Sequence, residues 1–156
     1  MHALLVALLL ASPAAARGPN PRLVVVITVD QLRPDYLVRY RRQLVGGLGL
    51  LLREGAVFTG AYQDHAVTET APGHATLLSG RWPAHTGIIL NRLGVQDSSA
   101  PLLAVAGPGA SPARFRGTAF FDWLAAAEPG ARALSVSRKD RGAILPLGRA
   151  RQAVYW

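Results

Sequence analysis

Residues Leu23 to Val29 form an unbroken run of apolar and β-branched side chains that stops abruptly at Asp30. A strand with one wet face alternates in polarity, whereas a continuous run suits a strand covered on both faces, as in a parallel sheet. The run therefore predicts an α/β layer fold, and the pattern downstream agrees with it. Pro34-Asp35 opens a helical pattern through about Leu44, and Gly46 to Glu54 reads as a second helix stopped by Gly55. A short strand is expected over Ala56 to Tyr62, then a compact helix over Ala71 to Ser79 with Gly80 as its stop. Arg81 to Leu90 reads as a loop, and the Gly, Pro, Ser and Ala content of Gly94 to Pro112 as an irregular surface excursion without chemistry. Thr118 to Glu128 reads as an amphipathic helix closed by Pro129-Gly130, and Ala131 to Ser137 as a further strand. Helices alternating with strands, without an internal repeat, argue for a mainly parallel sheet flanked by helices. With 156 residues, half of them apolar, the chain suits one domain at most.

The first sixteen residues differ from the rest. An apolar stretch from Ala3 to Ala11 is followed by Ser12, Pro13 and three alanines before Arg17. This is the layout of an export signal (1–16) and is too short to span a bilayer, which places the protein in the periplasm or outside the cell. No Lys or Arg precedes the apolar stretch, so a short buried helix is the alternative. The absence of cysteine excludes disulfides and thiolate ligands, leaving Asp, Glu, His and hydroxyl oxygen to hold any metal. There are 17 basic residues against 9 acidic ones, a balance that suits a small basic exported protein binding anionic polymers or lipid. The cations are scattered, however, with only Arg39, Arg41 and Arg42 clustered and no aromatic stripe among them. A specific nucleic-acid partner is therefore not expected. Lys139 is the single lysine in an otherwise arginine-only chain.

Three places bear on chemistry. Asp30 follows an apolar strand pattern, and ligands of open α/β sheets bind at the carboxyl ends of strands, where a carboxylate can hold a cation. The bland alternative is an Asp capping the Gln31 to Asp35 turn. Thr70 precedes Ala71-Pro72-Gly73 and reads as a helix N-cap, with its hydroxyl at the positive end of the helix dipole. A free threonine hydroxyl is a poor nucleophile unless a base or a metal activates it, and most N-caps do nothing else. Lys139 and Arg141 alternate across an expected extended segment, which would put both cations on one side as a clamp for phosphoryl oxygens. A solvated turn with Asp140 paired to a neighbour is the alternative there. His65, His74 and His85 read as structural hydrogen-bonding residues rather than ligands.

Taken together and in order, these segments resemble the alkaline phosphatase superfamily and, within it, the phosphate-irrepressible branch of secreted bacterial monoesterases. The resemblance runs from about Arg22 to Trp156. VVVITVDQLRPDYLVRY is similar to that family's first strand, with Asp30 matching a metal ligand. TETAPGHATLLSG is similar to its nucleophile helix, with Thr70 matching the threonine that becomes phosphorylated and also touches a metal. GIILN places Asn91 on the phosphate-contacting asparagine. SRKDRGAILPLG places Lys139 and Arg141 on the Lys-x-Arg pair that binds transferring phosphoryl oxygens.

The resemblance implies hydrolysis of small phosphate monoesters through a phosphothreonine at Thr70. Two zinc ions roughly 4 Å apart would serve the attacking and leaving oxygens, and Asn91, Lys139 and Arg141 would stabilise the nonbridging ones. Sulfatases of the superfamily need a Cys or Ser at the position held by Thr70. Phosphodiesterases and nucleotide pyrophosphatases keep the Thr and Asn but lack the Lys-x-Arg pair, so they form the nearest alternative. The family's remaining metal ligands, an Asp with a His four residues on, an Asp-His pair and a final His, fall beyond the Lys-x-Arg segment and are absent from these residues. Residues 17–156 are accordingly expected to be the N-terminal part of a catalytic domain whose sheet is incomplete in this chain. Alone, that part is expected to be inactive and poorly folded.

Overall fold

The computed structural model describes residues 21–102 and 105–156, so the expected export signal lies outside the described residues. The elements run α1 (Asp35–Arg39), a 3-10 turn (Arg41–Gln43), α2 (Gly47–Glu54), α3 (Thr70–Ser79), α4 (Pro83–Thr86), β1 (Gln96–Pro101) and β2 (Pro108–Ala110). They continue with α5 (Phe120–Ala127), β3 (Leu134–Val136), α6 (Asp140–Ile144), a second 3-10 turn (Leu145–Leu147) and β4 (Ala153–Tyr155).

Helix α3 is the centre of the molecule. It packs against α4, α6 and the second 3-10 turn. Its buried face presents Ala71 and Ala75 to a core of Ile88, Val95, Phe115, Ala119 and Leu145. Two alanines on one face let neighbouring backbone approach closely, and the large side chains of Phe115, Ile88 and Leu145 fill the remaining space. Fully burying each of these three contributes about 1.5–3 kcal/mol. Gly80 ends the helix in the left-handed conformation, at φ 62, and its N–H donates to the Thr76 carbonyl.

β3 and β4 pair in parallel, Leu134 with Ala153 and Val136 with Tyr155. Parallel neighbours require a crossover, and α6 with the second 3-10 turn supplies it. This β-α-β unit makes the fold mixed α/β, as expected. The larger parallel sheet is not present among the described residues: Leu23 to Val29 and Ala56 to Tyr62, both expected as strands, join no ladder. Leu23 and Ile27 are 78% and 77% exposed. A strand buried on both faces exists only through neighbouring strands and covering layers, and no described segment provides them here.

Three further expectations are corrected. The helix expected from Asp35 to Leu44 breaks at Tyr40 and ends in a 3-10 turn. The loop from Arg81 to Leu90 contains α4, nucleated by Pro83 at its first position and closed by Gly87 in the left-handed conformation. The excursion from Gly94 to Pro112 holds an antiparallel hairpin of β1 and β2, paired Gln96 to Ala110 and Asp97 to Gly109 with an irregularity before Pro101. Gly94, at φ 90, leads into that hairpin. A Cβ there would collide with the Gly87 carbonyl oxygen, so glycine permits two backbones to meet beneath the turn that carries Asn91.

Candidate active site

Asp30 lies at the end of the apolar run, in a turn closed by the Leu32 N–H donating to the Val29 carbonyl. Gln31 makes this turn at φ 64, a conformation costly for a residue other than glycine. The Asp30 carboxylate does not cap its own turn. Its Oδ2 accepts the Thr70 hydroxyl at 3.0 Å and the Lys139 ammonium at 3.3 Å. Lys139 Nζ also donates to Thr70 Oγ1 at 3.4 Å. Three segments separated by 40 and 69 residues thus converge on one hydroxyl.

Thr70 is the first residue of α3, and the N-cap is Glu69, which corrects the expected capping role. The first turn closes through the Gly73 N–H donating to the Glu69 carbonyl. Within the same turn, the Ala71 N–H donates to Asn91 Oδ1 at 2.9 Å. Capping in trans frees the Thr70 hydroxyl for Asp30 and Lys139 while leaving it at the positive end of the helix.

Asn91 Oδ1 accepts a second bond from Arg141 Nε at 3.1 Å. Two donors converging on this oxygen fix the amide orientation and leave the Asn91 NH₂ group as the donor to an incoming ligand. Lys139 and Arg141 do not alternate along an extended segment as expected. Lys139 is the extended N-cap of α6 and Arg141 sits within its first turn, yet both side chains reach the site, Lys139 at Thr70 and Arg141 at Asn91. Asp140 pairs with Arg141, its Oδ1 accepting the Arg141 backbone N–H at 2.6 Å and Nη1 at 3.3 Å. That pairing holds the guanidinium over Asn91. Beside it opens a cavity of about 230 Å³, bounded by Asn91, Arg141 and Asp140 on one side and by Gln96 and Pro108 of the hairpin on the other. The hairpin, expected to carry no chemistry, therefore walls the site.

Two of the three histidines, His74 and His65, make the expected hydrogen bonds, whereas His85 makes a ring contact instead. His74 bonds the Thr70 carbonyl through Nδ1 at 2.8 Å, His65 bonds Gln63, and His85 stacks on Trp82. Glu69, which no sequence motif marks, accepts the Asn91 backbone N–H at Oε2, 2.6 Å away. Its place directly before Thr70 was the only signal available.

Burial alone would raise the Asp30 pKa, but the hydrogen bonds from Thr70 and Lys139 and the Lys139 charge outweigh it and hold the carboxyl below its ordinary value. With a depressed pKa in the folded state, the contribution of Asp30 to stability is complete above the unfolded carboxyl's pKa and is lost as pH falls through the folded value. Because the Lys139 and Asp30 side chains are 46% and 36% exposed, the ion pair contributes at most about 1 kcal/mol and serves placement more than stability. A carboxyl ¹³C titration by NMR should give Asp30 a midpoint below that of an ordinary aspartate, and Lys139→Met should move it upward. A midpoint above the ordinary value would contradict the geometry.

A depressed pKa also makes Asp30 a weak proton acceptor and a good cation ligand. Asp30 and Thr70 present hard oxygen donors 3.0 Å apart, and the ammonium already against both shows that the place accepts positive charge. No group of three or more His, Cys, Asp or Glu that could hold a metal occurs among the described residues. The donor set therefore fits part of the shell of one metal ion.

Residues 24–137 match the family profile described as type I phosphodiesterase/nucleotide pyrophosphatase. The chain belongs to this family, within the alkaline phosphatase superfamily. The family match covers Asp30, Thr70 and Asn91 and ends just before Lys139. Among curated members of the superfamily, the chain is 39% identical over 149 residues to alkaline phosphatase PhoK of a Sphingomonas species, spanning 87% of this chain and 27% of that protein. It is 34% identical over 160 residues to alkaline phosphatase PhoD of Zymomonas mobilis, spanning 94% and 28%. It is likewise 34% identical over 157 residues to a protein of Myroides odoratus named calcium-transporting ATPase, spanning 92% and 29%. The chain spans less than a third of the length of these relatives. No described helix is long and apolar enough to cross a membrane.

Proposed function

We propose that the whole protein hydrolyses phosphate monoesters, with Thr70 as nucleophile. The observation carrying this reading is the Thr70 hydroxyl held between the Asp30 carboxylate and the Lys139 ammonium at the start of α3. Thr70 Oγ bonds to phosphorus as the ester P–O bond breaks on the opposite side; the hydroxyl proton passes to solvent, and the departing alcohol oxygen keeps the bond's electron pair and takes a proton from solvent. Water then attacks the phosphothreonine, the P–Oγ bond breaks, and phosphate leaves. Lys139, the Asn91 amide and Arg141 bear the negative charge of the nonbridging oxygens throughout. Fixed donors of this kind are often worth several kcal/mol.

Asp30 and Thr70 would hold part of the shell of one of two zinc ions, and the rest of the protein would supply the remaining ligands. When bound, the metal lowers the pKa of the hydroxyl and neutralises charge on the ester oxygens. Residues 17–156 form the N-terminal part of the catalytic domain, and the exposed run Leu23 to Val29 is a strand of its completed sheet. Residues 1–16 direct export, which places the enzyme in the periplasm or outside the cell.

The family profile favours a second reading, phosphodiester hydrolysis. What favours the monoester is the pair of cations at one site, since a dianion gains from both and a monoanionic diester has less charge to satisfy them. The purified full-length protein should release phosphate from an aryl phosphate monoester, lose that activity on chelation, and regain it with zinc. Turnover of a diester alone, or monoester turnover indifferent to chelators, would overturn the reading.

A further inference from the structure

We propose that Glu69 is a positioning residue for phosphoryl transfer, acting through Asn91. The inference rests on the phosphatase reading above. Asn91 has a side chain that needs to be aimed: its Oδ1 accepts both the Ala71 amide at the start of α3 and Arg141 Nε, so the NH₂ group points where those two donors dictate. The orientation holds only while the Asn91 backbone stays in place, and Asn91 lies in an irregular turn rather than in a helix or strand.

Around that turn, Ile89 and Leu90 both donate to the Leu93 carbonyl, and Val95 and Gln96 both donate to the Arg92 carbonyl. The Asn91 amide bonds neither of these carbonyls. It donates instead to Glu69 Oε2 at 2.6 Å, 22 residues away in sequence. Glu69 is half-buried, and its backbone carbonyl accepts the Gly73 N–H that closes the first turn of α3. One residue thus ties the asparagine turn to the helix start that carries Thr70. A charge-assisted bond of this length is short and strong, and it fixes the distance between the attacking oxygen and the asparagine amide. Arg141 is set by the same link, because its Nε rests on Asn91. Glu69 touches neither the reacting atoms nor Arg141 directly.

The test is a double-mutant cycle in the full-length enzyme, reading kcat/KM for an aryl phosphate monoester and inhibition by inorganic phosphate. Glu69→Ala should lower kcat/KM by about 10–100-fold, as expected when a supporting group lets an oriented donor drift. Inhibition by phosphate should weaken in parallel. Glu69→Gln, which keeps an oxygen acceptor for the Asn91 N–H, should restore activity to within about fivefold of wild type. In an Asn91→Ala background, removing Glu69 should add less than about twofold, because the group it positions is already gone.

Losses that simply multiply in the double mutant would overturn the proposal, as would Glu69→Gln proving as impaired as Glu69→Ala. Should Glu69→Ala fail to fold, Glu69→Gln and its cycle with Asn91→Ala carry the same test, in which equal loss from Gln in both backgrounds counts against it. Wild-type turnover and its disappearance in Thr70→Ala, run in the same assay, test the phosphatase reading separately, so failed coupling would then count against Glu69 alone.

Discussion

Replacing Thr70 with alanine in the full-length protein should remove monoester hydrolysis, by at least about 10³-fold in kcat, while leaving the fold intact. The expected size follows from the role. Without the hydroxyl no covalent intermediate forms, and only the charge-stabilising groups remain to assist a direct attack by water. The small effect on folding follows from the surroundings. The Thr70 hydroxyl makes its two contacts with the exposed side chains of Asp30 and Lys139, and the Ala71 amide in the first turn is capped by Asn91 rather than by Thr70. Deleting one such hydroxyl changes stability by only about 1 kcal/mol. Thr70→Ser keeps a nucleophile and should retain measurable activity. Phosphate release by Thr70→Ala within a few-fold of wild type, with thermal unfolding unchanged, would show that the hydroxyl does not attack.

The second large effect concerns substrate choice. Lys139→Ala combined with Arg141→Ala should reduce kcat/KM for a monoester by about 10²–10³-fold and for a diester by about tenfold or less. The two cations reach one site from the start of α6, the ammonium at the Thr70 hydroxyl and the guanidinium beside the Asn91 amide. A monoester dianion offers each of them an oxygen bearing charge. A diester has lost one charge and adds a second ester group that neither cation serves. Arg141→Lys keeps the charge but loses the planar contact with Asn91, so it should fall between wild type and the double mutant. Equal losses on both substrates would contradict the monoester assignment.

Much of this site was legible in the sequence because its residues sit in short segments that end or begin structural elements. Asp30 follows an apolar run, Thr70 opens a helix stopped by Gly80, and Lys139 and Arg141 flank a helix start, yet each allows a bland local reading, and it is their order along the chain, through the family resemblance, that singles them out. How they meet was partly misread. Thr70 was expected to cap its own helix, but Asn91, 20 residues beyond Ala71, caps it from outside. An extended segment was expected to align Lys139 with Arg141, but the opening turn of α6 brings them to the site. The first error put a local contact in place of one across the chain, and the second took a helix start for an extended segment, because single-sequence pattern sees only near neighbours.

The strands were the least legible part. Leu23 to Val29 has the composition of a buried strand, yet its residues are exposed and unpaired, because a parallel strand depends on partners distant in sequence. β1 and β2 were missed for the opposite reason: Gly, Pro and Ser obscure a hairpin held by backbone pairing rather than by apolar alternation. Glu69 has no signal beyond its place before Thr70, since the turn whose Asn91 amide it accepts lies 22 residues away in sequence.

The most direct measurement is mass spectrometry of the full-length enzyme mixed with an aryl phosphate monoester and quenched in acid during turnover. A single phosphoryl group is expected, mapped by peptide fragmentation to Thr70, absent from Thr70→Ala and lost on incubation without substrate. Phosphate carried on any other residue, or steady turnover with Thr70 unmodified at every quench time, would contradict Thr70 as the nucleophile.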